Sequence, residues 1–140
     1  MGDHAAPRVL FVCVQNAGRS QMAAALFNLH AAGRAVADSA GTRPAERVHP
    51  EVLAVMREVG IDLESVTPRL MTPELAAGAS RVVTMGCGDE CPVVSAPVVD
   101  WGLPDPTGLA LPAVRAIRDE IDARVRGLLT DLVEPKIKRS

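Results

Sequence analysis

The feature that most constrains this sequence is one continuous apolar run near its start, RVLFVCV at residues 8–14. A short run without polar alternation is typical of a strand buried on both faces of a parallel sheet. A helical pattern, RSQMAAALFNLHAAGR, follows within a few residues, with Met22, Leu26 and Leu29 at helical spacing and Gly33 as its stop. A buried strand joined to a helix by a tight loop favours an α/β architecture.

The same alternation continues to the end of the chain. Three more strands are predicted in AVADSAGTRP, SRVVTMG and APVVDWGL, and three more helices in HPEVLAVMREVGI, TPELAAGA and LPAVRAIRDEIDARVRGLLTDLV. The second helix is expected to group Val52, Val55, Met56 and Val59 on one face, and the last helix to bury Val114, Ile117, Ile121, Val125, Leu128 and Leu132. The sequence therefore predicts an α/β fold, a four-stranded parallel sheet flanked by helices on both faces, in a single domain spanning 1–140 with an ordered core at about 8–133.

Composition excludes several classes of function. The net charge is −2, and there is no tyrosine among only three aromatic residues, so neither a basic field nor a stacking surface for nucleic acid is present. No apolar run approaches the roughly 20 residues that cross a membrane. The start, MGDHAAPR, lacks the features of a secretory signal, so a cytoplasmic protein is expected. Because cytosolic proteins rarely hold structural disulfides, its three cysteines are not expected to form a disulfide framework.

The loop after the first strand carries the clearest chemistry. Unpaired backbone amides at a helix N-terminus, together with the helix dipole, bind tetrahedral oxyanions. Gly18 lets the backbone turn, Arg19 can offer two parallel hydrogen bonds to oxyanion oxygens, and Ser20 can donate to the sulfur of Cys13. A lone cysteine in an apolar strand is more often a small buried hydrophobe, but the Cys-x5-Arg-Ser pattern favours a nucleophile aimed at a bound anion.

Two later segments hold the other reactive groups. Asp105, in LPDPTG, is expected at the same edge of the sheet as Cys13; alone it reads as a turn residue, but beside an anion loop it is a candidate general acid. Cys87 and Cys91 lie in GCGDECP, close enough for a disulfide if that segment bends. Zinc sites generally need four ligands and no second cysteine pair exists, which leaves two inert thiols or a redox pair.

These motifs resemble one family. CVQNAGRSQMA, DSAGT and the Asp105-Pro106 pair resemble the low-molecular-weight protein tyrosine phosphatase superfamily, and VVTMGCGDECP with DWGLPDPTG resembles its arsenate reductases of the thioredoxin-coupled, three-cysteine type. The resemblance implies that an oxyanion-binding loop holds arsenate, with phosphate as a competing anion. The loop residues are Val14, Gln15, Asn16, Ala17, Gly18, Arg19 and Ser20, with Asn16 keeping the loop in shape.

The resemblance also implies a mechanism. Cys13 attacks arsenate, Asp105 protonates the departing hydroxyl, Cys87 resolves the adduct, and Cys91 takes over the disulfide, without a metal or a bound cofactor. An external thiol then reduces the Cys87–Cys91 bond: either a thioredoxin-like protein or mycothiol with a glutaredoxin-like protein, in which case both later cysteines are spectators. Ala24 stands where some relatives carry an acidic cation ligand, so no potassium dependence is expected.

Two other functions stay open at this level. A phosphatase would use the same Cys13, Arg19 and Asp105, although Thr107 follows Pro106 where phosphotyrosine enzymes often have tyrosine. A non-catalytic oxyanion binder would need no general acid. The histidines, His4, His30 and His49, share no ligand spacing and are interpreted as structural or surface residues; Trp101 is expected beside the acid loop.

Overall fold

The computed structural model describes residues 6–86 and 97–133. Within them, strands and helices alternate in the predicted order: β1 (Arg8–Cys13), α1 (Arg19–Ala31), β2 (Val36–Gly41), α2 (Pro50–Arg57), α3 (Pro73–Ala77), β3 (Arg81–Thr84), β4 (Val98–Asp100) and α4 (Leu111–Val133). The first residues, the segment 87–96 with Cys87 and Cys91, and the residues after 133 lie outside this description.

The four strands form one parallel sheet in the order β2-β1-β3-β4. The predicted fold class is thereby confirmed. β1 lies between two neighbouring strands, and both of its faces are buried from Val9 to Cys13, which explains why the strand is apolar after Arg8. Cys13 pairs with Gly41 and Val12 pairs with Thr84, so the carboxyl ends of three strands meet at one edge of the sheet.

Helices cover both faces of the sheet. Val9, Phe11 and Cys13 point to one face, where they join the core formed with α1, α2 and α4. Leu10 and Val12 point to the other face, where the short α3 covers them. Alternate side chains of a strand point to opposite faces, so a single apolar run supplies both cores.

The helices depart from the sequence pattern at their ends. α1 stops before Gly33 because Ala32 already adopts a left-handed conformation, and Leu29 is 55% exposed. α2 ends at Arg57, so Val59 lies beyond it and is exposed. In α4, Leu129 is buried and Leu132 is half-buried. None of the described helices is long and apolar enough to cross a bilayer.

Candidate active site

The loop between β1 and α1 is held by the segment that follows β2. The backbone carbonyl groups of Cys13, Val14, Gln15 and Ala17 accept hydrogen bonds of 3.1, 2.8, 2.9 and 3.0 Å, respectively, from backbone amides within 42–49. In a trans peptide the carbonyl and the next amide point in opposite directions. The amides that follow these carbonyls therefore point away from that segment, toward the concave side of the loop.

The start of α1 adds to this concave, positive surface. Gly18 caps the helix without any side-chain hydrogen bond, and the first turn has no acidic residue. The first amides of a helix lack intrahelical acceptors and lie at the positive end of its dipole. The φ of Gly18 is −139°, so the turn itself does not demand glycine here. A Cβ atom at this position would lie 2.8 Å from Cγ of Pro106, so Gly18 is what lets the loop carrying Asp105 approach.

Asn16 is the buried centre of the loop. It has a φ of 50°, a left-handed conformation that asparagine tolerates better than most residues. Its Nδ2 donates to Ser20 Oγ at 2.8 Å, and its Oδ1 accepts from Gln21 Nε2 at 3.1 Å and from the amide of Arg69 at 3.0 Å. These bonds join the loop to α1 and to the segment before α3.

Ser20 connects Asn16 to the cysteine. Its Oγ lies 2.9 Å from Sγ of Cys13, and Cys13 is only 2% exposed. Because Ser20 Oγ already accepts from Asn16, its own proton is available for the sulfur. The geometry suits donation to a thiolate, which is the form that acts as a nucleophile.

Arg19 is buried and held in one orientation. It is 7% exposed, and its Nη1 donates to the carbonyl of Leu103 at 3.0 Å. Gly86, with a φ of +86°, packs against this guanidinium so closely that a Cβ atom there would collide with Nη1. The Nη2 group lies 3.8 Å from Oδ2 of Asp105. The chain thus presents a fixed cation beside the predicted acid.

Asp105 lies in the loop between β4 and α4. Its Oδ1 accepts from the hydroxyl of Thr107 at 2.7 Å and from the Thr107 amide at 2.9 Å. Burial acts to raise the pKa of Asp105, but these hydrogen bonds and the charges of Arg19 and His49 outweigh it and hold the pKa below its usual value. The carboxyl group is therefore ionised in the free protein at neutral pH, and a general acid role requires that a bound anion raise its pKa.

One narrow cleft brings the predicted groups together. Its lining is formed by Cys13, Gln15, Gly18, Arg19, His49 and Asp105. Ala17 and Ser20 are buried beneath it, and Gln15 is exposed at its mouth. Trp101 packs against Phe11, with ring centroids 5.7 Å apart. Cys87 and Cys91 belong to the segment outside the described residues. Over 6–86 and 97–133, no three His, Cys, Asp or Glu side chains cluster so as to hold a metal ion.

His49 and Thr107 are site residues that sequence reasoning missed. His49 Nε2 lies 2.9 Å from Oε1 of Gln15 and 3.2 Å from Oγ1 of Thr107. The sequence pattern does not single out His49, because it shares no ligand spacing with another histidine. A usable signal existed: it precedes Pro50 at a helix start that follows β2, and such loops lie at the carboxyl edge of a parallel sheet.

Known proteins resemble this chain over most of its length. The family model for low molecular weight phosphotyrosine protein phosphatase matches residues 8–138. A Halobacterium salinarum protein named "Putative arsenate reductase" is 43% identical over 127 residues, which cover 86% of this chain and 89% of that protein. A Synechocystis protein named "Glutaredoxin arsenate reductase" is 35% identical over 129 residues, covering 89% and 98%.

A solved structure has the same fold. The thioredoxin-dependent arsenate reductase of Corynebacterium glutamicum superposes with a TM-score of 0.80 at 37% identity. The match covers 93% of the present chain but 63% of that protein, so the two differ in length.

Proposed function

We propose that this chain, which belongs to the low molecular weight phosphotyrosine protein phosphatase family, is an arsenate reductase that supplies two electrons from its own cysteines. One observation carries the proposal. Gly86 packs against the guanidinium of Arg19, at the wall of the oxyanion cleft, and the next residue along the chain is Cys87. A segment bearing two thiols therefore starts at the site, and a phosphatase has no use for such thiols.

The first step is an attack on the bound anion. Arsenate occupies the concave side of the loop, where the backbone amides and Arg19 neutralise its oxygens. The Cys13 thiolate attacks arsenic and forms a sulfur–arsenic bond. Asp105, protonated once the anion's charge lies beside it, gives its proton to the departing hydroxyl, which leaves as water.

The second step is the reduction itself. The Cys87 thiolate attacks the sulfur of Cys13, the sulfur–arsenic bond breaks, and its electron pair stays on arsenic. Arsenic passes from the +5 to the +3 state and leaves as arsenite, while a Cys13–Cys87 disulfide remains. Cys91 then attacks Cys87, which frees Cys13 and leaves a Cys87–Cys91 disulfide. The two thiols oxidised account for the two electrons that arsenic gains.

An external thiol must restore the two cysteines. A thioredoxin-like dithiol protein is the reductant we favour, because the chain's own relay ends in a disulfide that such proteins reduce. Mycothiol with a glutaredoxin-like protein is the alternative, in which the external thiol attacks the arsenic adduct directly. No bound cofactor takes part in either route, and the reaction belongs in the reducing cytoplasm.

A phosphatase acting on phosphate esters is the weaker candidate. The anion loop suits phosphate as well as arsenate, so phosphate is expected to compete for it. However, the position after Pro106 holds Thr107, whose hydroxyl donates to Asp105. A phosphotyrosine phosphatase would need an aromatic side chain there to pack against the ring of its substrate. Sequence relatives named as arsenate reductases also favour the reductase.

Disulfide mapping is the decisive experiment. The fully reduced protein is mixed with excess arsenate in the absence of reductant, free thiols are alkylated, and the peptides are analysed by mass spectrometry. We expect a Cys87–Cys91 bond in the wild type, a trapped Cys13–Cys87 bond in Cys91→Ser, and no disulfide in a matched sample given phosphate. Three free thiols in the wild-type sample would contradict the internal relay. Arsenite formation upon adding mycothiol and a glutaredoxin-like protein would then identify the external route.

A further inference from the structure

We propose that His49 and Thr107 form a directed hydrogen-bond relay that orients Asp105 for proton donation, an inference that rests on the proposed function. The two residues lie in different crossover segments, His49 at the N-cap of α2 and Thr107 in the loop before α4. His49 Nε2 is 3.2 Å from Thr107 Oγ1, which is 2.7 Å from Asp105 Oδ1. Both act through Asp105, so they are positioning residues.

The chemistry of the three groups gives the relay one direction. An ionised carboxylate only accepts hydrogen bonds, so the single hydroxyl proton of Thr107 goes to Asp105. The hydroxyl oxygen then faces His49 with a lone pair, and Nε2 must carry a proton to donate to it. The side-chain amide oxygen Oε1 of Gln15, 2.9 Å from Nε2, is also an acceptor and shares the same N–H donor. Two acceptors thus select the Nε2-protonated form of His49.

This direction decides which oxygen of Asp105 carries the catalytic proton. Oδ1 already accepts two hydrogen bonds from Thr107, one from the amide and one from the hydroxyl. Oδ2 is the oxygen nearer to Arg19, 3.8 Å from Nη2. Because Oδ1 is occupied by two donors, we expect a proton added to Asp105 to reside on Oδ2, the oxygen on the Arg19 side of the carboxyl group.

The relay is anchored at both of its ends. The backbone amide of His49 donates to the carbonyl of Ala17 in the anion loop at 3.0 Å. The amide of Gly108, next to Thr107, donates to a carboxylate oxygen of Glu51 in α2 at 2.8 Å. The start of α2 thus holds two loops in a fixed position relative to each other: the loop between β1 and α1, and the loop before α4 that carries Asp105.

The charged and titratable groups around Asp105 come from three elements. Arg19 faces it from α1, His49 and Glu51 stand at the start of α2, and Cys13 lines the same cleft at the end of β1. The Thr107 bonds lower the pKa of Asp105, whereas the incoming anion raises it. Loss of the relay should therefore have two separable effects: a slower proton transfer, and a higher pKa for the acid.

The first measurement is independent of the reaction with arsenate. The carboxyl carbon of Asp105 is titrated by 13C NMR in the full-length reduced protein, with Asp105→Asn used for assignment. We expect Thr107→Val to raise the pKa of Asp105 by about one unit and Thr107→Ser to restore it. His49→Ala should raise it too, and His49→Gln, which keeps an N–H donor, should restore part of the shift. His30→Ala, a histidine bonded to Asp122 far from the cleft, should leave it unchanged.

The second measurement is the rate of arsenate-dependent thiol loss in a single turnover as a function of pH. Thr107→Val is expected to lower the maximal rate about tenfold, a part of the 10²–10⁴-fold that a general acid contributes. It should also move the alkaline limb to higher pH, because the acid stays protonated longer. In the Asp105→Asn background, neither Thr107→Val nor His49→Ala should slow the reaction further.

The outcomes separate this inference from the proposed function. An unchanged pKa of Asp105 in Thr107→Val, or a wild-type His49 that 15N NMR shows protonated at Nδ1 only, would overturn the relay. A raised pKa in Thr107→Val combined with no arsenate-dependent thiol loss in the wild type would uphold the relay and refute the internal reductase. If the valine variant does not fold, the pKa of Asp105 in His49→Ala and the wild-type tautomer of His49 still decide the question.

Discussion

At the scale of single residues, the site depends on how one arginine is packed. The guanidinium of Arg19 is buried, and such a cation is tolerated only with hydrogen-bond partners. Leu103 supplies a backbone carbonyl, and Asp105 lies nearby. Gly86 completes the pocket by having no side chain at the point of closest approach. Neither Leu103 nor Gly86 carries a reactive group, yet together they fix the orientation of the Arg19 guanidinium, which is to bind the oxyanion.

Gly86→Ala should therefore weaken oxyanion binding. The added methyl group would displace Nη1 of Arg19, and we expect phosphate affinity to fall about tenfold, equivalent to one hydrogen bond to a charged group. The measurement is isothermal titration calorimetry with inorganic phosphate on the reduced protein.

Gly33→Ala is the matched control for that variant. Gly33 has a φ of +89°, but a Cβ atom there would meet nothing within 4 Å. Both variants carry a backbone cost of about 1–2 kcal/mol for a left-handed alanine. Equal phosphate affinities in the two variants would refute the packing argument for Arg19.

At the scale of elements, α2 is tied to α4 by a charge cluster. Glu58 follows the last turn of α2 and receives hydrogen bonds from Arg115 and from Arg118 of α4. Arg118 also donates to the carbonyl of Val55 at 2.8 Å. The bonds from Arg118 and Arg115 lower the pKa of Glu58. Because the start of α2 carries His49, this contact helps to set the geometry of the cleft.

Glu58→Gln should lower the melting temperature by a few degrees at neutral pH. A carboxylate whose pKa is lower in the folded state stabilises that state above its unfolded pKa, and the contribution is lost as the pH falls through the folded value. The difference between wild type and Glu58→Gln should therefore be largest near pH 7 and shrink in acid, as followed by thermal unfolding from pH 3 to pH 7.

The variant Glu64→Gln tests whether the loss of any ion pair would lower the melting temperature to the same extent. Glu64 pairs with Arg57, but both side chains are more than half exposed. Exposed pairs contribute little to stability. A fall in melting temperature in Glu64→Gln as large as that in Glu58→Gln would argue against the specific tie between α2 and α4. A fall in Glu58→Gln that does not depend on pH would argue against it as well.

At the scale of the whole molecule, the oxyanion site joins segments that are distant in the chain. The cleft draws on the end of β1, the start of α1, the start of α2 and the loop before α4. A ligand that binds only this assembled arrangement stabilises the native state by mass action. Binding should therefore be visible in the unfolding of the entire protein.

Inorganic phosphate at about 10 mM should raise the melting temperature of the reduced protein by about 4–6 °C. The figure assumes a dissociation constant of about 1 mM, which corresponds to about 1.4 kcal/mol of stabilisation. Arg19→Gln should abolish the increase, while Arg34→Gln, at the other end of α1, should retain it. An equal increase in both variants would mean that phosphate acts at another place or through general salt effects.

Much of the architecture could be predicted from local patterns. The sequence predicts all residues of α4, because its apolar spacing and its flanking signals agree. It also predicts β1, because the apolar run of that strand is continuous. The ends of α1 and α2 were less well predicted. Ala32, not Gly33, begins the left-handed turn after α1, and Leu29 faces solvent despite its helical spacing.

The sequence by itself determined the order of elements, the parallel sheet and, through its motifs, the candidates Cys13, Arg19 and Asp105. These follow from apolar periodicity and from residues that are close together in the chain. Only the tertiary structure decided that His49, Thr107, Gly86 and Leu103 complete the site. Their contacts join positions up to 84 residues apart, as between Arg19 and Leu103. Such contacts depend on how strands and helices pack, which no local pattern encodes.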